Sequence, residues 1–167
     1  MHRAYICLGS NLGQPEKNLQ DAVRRISELP GVIVDAASPV YMTEPQDCRN
    51  QPWFANQVLR VLCPAEMTAV AFLDMLLAVE IAMGRIRMAD SAMRYGPRVI
   101  DLDLLLFDDE KHDTEHLTLP HPKMLQRAFV LVPLQDMDPF LILPGGMTPG
   151  EALSFLSYAV EGKRISQ

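Results

Sequence analysis

Apolar and polar positions along this chain follow two periods, and the switches between them mark the elements. Ala4-Tyr5-Ile6-Cys7-Leu8 is an apolar run ending at Gly9-Ser10-Asn11-Leu12-Gly13, which predicts a strand and a turn-rich loop. Leu19, Ala22, Val23, Ile26 and Leu29 recur at helical spacing, with Pro15 suited to the first turn and Pro30-Gly31 as the stop. Val32-Ile33-Val34 predicts a second strand, continuing as extended chain through Ala36 to Val40-Tyr41. Gln57-Val58-Leu59-Arg60-Val61-Leu62 alternates as a strand with one wetter face does. A helix apolar nearly all round, and so deeply packed, is predicted from Pro64 to Gly84. A further strand runs from Arg98 to Phe107, and Leu117-Thr118-Leu119-Pro120-His121-Pro122 is extended and stiffened by proline. Phe129-Val130-Leu131-Val132 and Leu134 predict a short helix interrupted by Pro133. Thr148-Pro149-Gly150-Glu151 opens a C-terminal helix reaching about Val160. The order strand, helix, strand, strand, helix, strand predicts an α+β fold: a ferredoxin-like sandwich of helices over a mostly antiparallel sheet.

The strand from Arg98 to Phe107 carries an anomaly, because Asp101 and Asp103 interrupt an otherwise apolar run. Side chains alternate across a strand. The two acids therefore share a face with Val99, Leu105 and Phe107, while Ile100, Leu102, Leu104 and Leu106 fill the other. Like charges beside a core either take up a proton or meet a cation. Residues i and i+2 lie roughly 7 Å apart and can converge on hard cations, as in Mg²⁺-dependent phosphoryl chemistry. A bare D-x-D is weak evidence, and taken alone it reads more simply as two solvated acids at a strand end.

Length and composition set the frame. With 167 residues, 49% hydrophobic and 22% charged, the chain is one domain, 1–167, with room for a proper core. The net charge of −6 argues against a general nucleic-acid surface, so an anion must be met by a local basic cluster. Arg85, Arg87, Arg94 and Arg98 against Asp90 supply one, in an aperiodic stretch that predicts a loop ordering on nucleotide binding. Cys7, Cys48 and Cys63 form no C-x-x-C pair, and the first residues lack a signal-peptide pattern. The expectation is a cytoplasmic protein with free thiols and no membrane partner. There is no P-loop and no dinucleotide fingerprint.

Four motifs occur in order: Gly9-Ser10-Asn11-Leu12-Gly13, Gly84-Arg85-Ile86-Arg87, Tyr95-Gly96-Pro97-Arg98-Val99-Ile100-Asp101-Leu102-Asp103, and Leu119-Pro120-His121-Pro122. Over residues 4 to 145 the chain resembles the 6-hydroxymethyl-7,8-dihydropterin pyrophosphokinase family. The resemblance implies a ferredoxin-like fold and a reaction in folate biosynthesis. ATP gives its terminal pyrophosphoryl group to the pterin hydroxymethyl oxygen and leaves as AMP, with two Mg²⁺ ions required. It implies that Asp101 and Asp103 hold both ions and that Arg85 and Arg98 act at the triphosphate. Glu80, Leu104, Thr118, His121 and Arg127 would join them around ATP. Thr43, Phe54, Asn56 and Phe129 would hold the pterin, which suits a flat ring stacked between aromatics and read at its edge by amides. By residue type alone, Phe129 also reads as core, Asn56 as a turn residue and Glu80 as a helix-face charge. A monomer acting on two small molecules is the expectation. A non-catalytic binding module of the same fold and a two-metal nucleotidyltransferase are the other readings, the second disfavoured by the charge.

Overall fold

The computed structural model describes residues 1–46, 49–84 and 97–167. Strand β1 (His2–Ser10) is the apolar run of the N-terminus, and helix α1 (Pro15–Ser27) follows with Pro15 in its first turn. β2 (Ile33–Ala37) and β3 (Tyr41–Thr43) are short, and β4 (Phe54–Cys63) is long. Helix α2 (Ala69–Ala82) leads towards β5 (Asp101–Phe107). The small pair β6 (His112–Asp113) and β7 (Thr118–Leu119), a 3₁₀ turn at Met124–Gln126, and helices α3 (Ala128–Met137) and α4 (Pro149–Leu153) come next. β8 (Ala159–Glu161) and β9 (Arg164–Ser166) close the order.

The main sheet runs β5-β1-β4-β3-β9-β8, and β2 also pairs with β4. Its pairs are antiparallel except β3 with β9, so the sheet is mixed. On one face α1 and α2 bury Leu19, Ala22, Ile26, Phe72 and Leu76 against Ile6, Leu8, Leu59 and Phe107. On the other, α3 and α4 bury Val130, Leu131, Leu134, Ala152 and Leu153 against Tyr5, Val58 and Leu105. Burial of these side chains drives the packing, at about 1.5–3 kcal/mol for each large one.

Four local expectations are corrected. α2 begins at Ala69 rather than Pro64, because the Thr68 hydroxyl accepts from the Ala71 amide (3.1 Å) and Pro64 to Met67 form a turn. Pro133 sits inside α3 without interrupting it, since burial of Val130 to Leu134 offsets one lost backbone bond. The C-terminal helix ends at Leu153, and the chain beyond it forms the β8–β9 hairpin, which is held by pairing to β3 and by burial of Ile165. In β5, Tyr5 lies opposite Leu106 but Ile6 opposite Leu104, so Leu105 is an extra residue. This bulge puts Leu105 and Leu106 in the α3 core and returns Phe107 to the α2 core. Phe107 therefore does not share the face of Asp101 and Asp103.

Arg85 and the other arginines of the predicted nucleotide-binding loop before Arg98 lie outside the described residues, as does Cys48. Cys7 and Cys63 are buried free thiols. Among the described residues no helix is long and apolar enough to cross a membrane.

Candidate active site

Where β1 ends and β4 and β5 begin, a cavity of about 560 Å³ opens beside the sheet and the start of α3. The predicted residues Thr43, Phe54, Asn56, Glu80, Arg98, Asp101, Asp103, Leu104, Thr118, His121, Arg127 and Phe129 all line it. They come from six parts of the chain, and the sheet register brings several of them together: Gly9 lies opposite both Asn56 and Asp101, and Thr43 opposite Phe54.

The two acids are half-buried at the cavity floor beside Cys7, which pairs with Asp103 in register. Arg98 Nη1 donates to Asp101 Oδ2 at 3.0 Å, and Arg127 Nη1 lies 3.9 Å from Asp103 Oδ2. Each guanidinium also covers an aromatic ring, Arg98 over Phe54 at 5.7 Å and Arg127 over Phe129 at 5.3 Å. Burial, followed by the charge of Asp103, pushes the Cys7 thiol well up, so this part of the floor is uncharged.

Glu80 is almost fully buried, and its Oε2 accepts from the Leu102 amide at 2.8 Å. That bond holds the backbone between the two acids, so at least one Glu80 oxygen serves the strand. His121 is held by its own amide, which donates to Leu105 O at 2.9 Å. Burial, then the positive charge of Arg127, lowers its pKa to about 4. Its Nδ1 accepts from the Lys123 amide at 3.2 Å, so in the neutral ring the proton sits on Nε2 and makes that atom a donor.

On the other side of β1 from Asp101, Asn56 is buried and its Nδ2 donates to Thr43 Oγ1. A Cβ on Gly9 would come within 2.8 Å of Asn56 Oδ1, so glycine is what lets the amide lie against β1. Residue reasoning assigned no role to Asn11, yet it is the tie between the walls. Its backbone N–H donates to Arg98 O (3.1 Å), and its Oδ1 accepts from Arg98 N (2.9 Å). Its Nδ2 donates to Gln51 Oε1 and Pro52 O. The Gly-Ser-Asn run after a buried strand was the available signal. Glu44, Gln46 and Gln51 also line the cavity, and nothing in a polar loop distinguished them beforehand. Trp53 stays outside the lining, under the Arg164 guanidinium at 4.3 Å. His2 lies away from the cavity and bridges Asp108 and Ala65 O.

Adjacent carboxylates, two guanidinium groups and an uncharged imidazole donor around one cavity are the fittings of an enzyme that transfers phosphoryl-type groups. The family model of 7,8-dihydro-6-hydroxymethylpterin-pyrophosphokinase (HPPK) matches residues 5–139, and the chain belongs to that family. A 2-amino-4-hydroxy-6-hydroxymethyldihydropteridine pyrophosphokinase of Methylorubrum extorquens is 41% identical over 156 residues, covering 93% of this chain and 94% of that protein. Its namesake from Pseudomonas aeruginosa is 39% identical over 154 residues, covering 92% and 91%. A crystal structure of an HPPK-DHPS in complex with substrates has the same fold, with a TM-score of 0.68 at 12% identity. It covers 92% of this chain and 45% of the longer one.

Proposed function

We propose that this cavity binds ATP and 6-hydroxymethyl-7,8-dihydropterin side by side and transfers the terminal pyrophosphoryl group of ATP to the hydroxymethyl oxygen. The products are AMP and the pterin diphosphate. Family membership supports the reaction. The observation that carries the site is the convergence of Asp101, Asp103, Arg98, Arg127 and His121 with Phe54, Asn56 and Thr43 around one cavity.

The donor set suits Mg²⁺: two half-buried carboxylates on one strand face offer hard oxygen ligands, and the neighbouring Cys7 is kept as a neutral thiol. Asp101 and Asp103 would hold two such ions, which supply positive charge at the triphosphate and lower the pKa of an accepting hydroxyl. Arg98 and Arg127 already stand beside the acids, and their forked N–H groups pair with phosphate oxygens as charge builds on the leaving AMP. His121 donates from Nε2 to a phosphate oxygen without adding charge. Phe54 and Phe129 stack on the pterin while Asn56 reads its polar edge, and Thr43 orients that amide. Leu104 and Thr118 line the nucleotide end, and Glu80 steadies the strand between the metal-binding acids. We place Arg85 at the triphosphate on the strength of the motif alone. The ferredoxin-like reading is supported by the order β5-β1-β4, with β2 also on β4, and by α1 and α2 on one face.

The decisive assay follows nucleotide products. With ATP, Mg²⁺ and the hydroxymethyl dihydropterin, AMP should form in step with consumed pterin. Accumulation of ADP would refute pyrophosphoryl transfer.

A further inference from the structure

The C-terminal hairpin and the residue after it lie beyond the residues matched by the family model, yet they touch two segments that line the cavity, β3 and the start of α3. β9 pairs in parallel with β3, setting Thr43 opposite Ile165. The Met42 and Glu44 amides donate to Lys163 O and Ile165 O at 2.8 and 3.2 Å. With Ile165 buried and Arg164 stacked on Trp53, the hairpin is anchored to the strand that carries Thr43.

From that anchor Gln167 reaches across to the start of α3. Its Oε1 accepts from the Ala128 amide at 2.8 Å, and its Nε2 donates to Gln126 O at 2.8 Å. Arg127, at the N-cap of α3, gives that helix no side-chain cap, so Gln167 satisfies a first-turn amide from a distance. Its two bonds fall on the peptide groups immediately before and after Arg127. They hold Arg127 in its extended conformation (φ −117°, ψ 108°), with its guanidinium 3.9 Å from Asp103 and 5.3 Å over the Phe129 ring.

We infer that Gln167 is a positioning residue for the reaction: by gripping both peptides around Arg127 it sets the aim of that guanidinium and of Phe129. The hairpin is thus part of the frame of the active site. This inference rests on the pyrophosphokinase reading of the cavity.

The test is Gln167→Ala in the full chain, alone and combined with Arg127→Ala. Alone, it should raise KM for ATP and for the pterin about three- to tenfold, the range expected for losing a helix cap. The emission of Trp53, the sole tryptophan, should stay unchanged because β9 remains docked. In the Arg127→Ala background it should add nothing to KM for ATP. Unchanged KM values, full additivity with Arg127→Ala, or a fall in kcat alone tracking a lower Tm would each overturn the inference. Calorimetric titration of a non-hydrolysable ATP analogue separates the two claims. If the wild-type protein makes no AMP, the proposed reaction fails. Weaker analogue binding by Gln167→Ala then still supports the positioning role, and equal binding removes it.

Discussion

At the scale of single residues, His121 and Gly9 show how geometry fixes chemistry. Burial and the nearby Arg127 charge bring the His121 pKa from 6.5 in the unfolded chain to about 4. Above pH 6.5 the ring is neutral in both states and its titration costs nothing. As the pH falls from 6.5 towards 4, the unfolded chain binds a proton that the folded one refuses, and stability is lost. Wild type should therefore lose about 2 kcal/mol more than His121→Gln between pH 7 and 4.5, measured by urea unfolding at each pH. Gly9 acts through space alone. Gly9→Ala would drive a methyl group to 2.8 Å from Asn56 Oδ1 and push the amide away from Thr43. Pterin affinity should fall about tenfold by calorimetry, as a lost or misaligned hydrogen bond predicts, while ATP-analogue affinity holds.

At the scale of elements, local signals and tertiary pairing divided the information. Asp101 and Asp103 stood out because charge inside an apolar run has few structural reasons to exist; the strand itself begins at Asp101 rather than at Arg98, so the acids lie at its start. The bulge at Leu105 left no trace in the sequence, since Leu104 to Phe107 are all apolar and a period of two cannot register among them. The cap at Thr148 and Pro149 correctly opened a helix, but its length was decided elsewhere, by β9 finding an open edge on β3. The lining residues named beforehand came from the motifs and from the family resemblance those motifs carry. The Asn11 and Gln167 ties were not legible, since each bridges segments tens of residues apart through one polar side chain. Glu80 is the case where an element serves the site directly. It runs a hydrogen bond from α2 to the amide between the acids, so Glu80→Ala leaves the Leu102 N–H without that partner in a buried setting. It should cost about 1–3 kcal/mol of stability. Activity measured well below the lowered Tm should fall as well, because β5 loses its fixed register against α2.

At the scale of the whole molecule, the acidic pair is a local electrostatic cost, which the proposed binding of cations and ATP would put to use. Asp101 and Asp103 repel each other at a sheet edge, and in the ligand-free protein Arg98 and Arg127 offset that repulsion. Cations bound there would relieve it further, whereas ATP without cations brings more negative charge to the same wall. Binding and stability should therefore be linked in a particular order. ATP with Mg²⁺ should raise the Tm, by the amount that ligand concentration over Kd dictates, while ATP in excess chelator should raise it far less. Asp103→Asn removes one charge and keeps the shape. Its ligand-free Tm should equal or exceed that of wild type, since the repulsion is gone. Its Mg²⁺-dependent gain with ATP should shrink and its turnover should drop about a thousandfold. A variant that lost ligand-free stability but kept turnover would mean that Asp103 serves the fold, and the two carboxylates would then have no part in holding the cations.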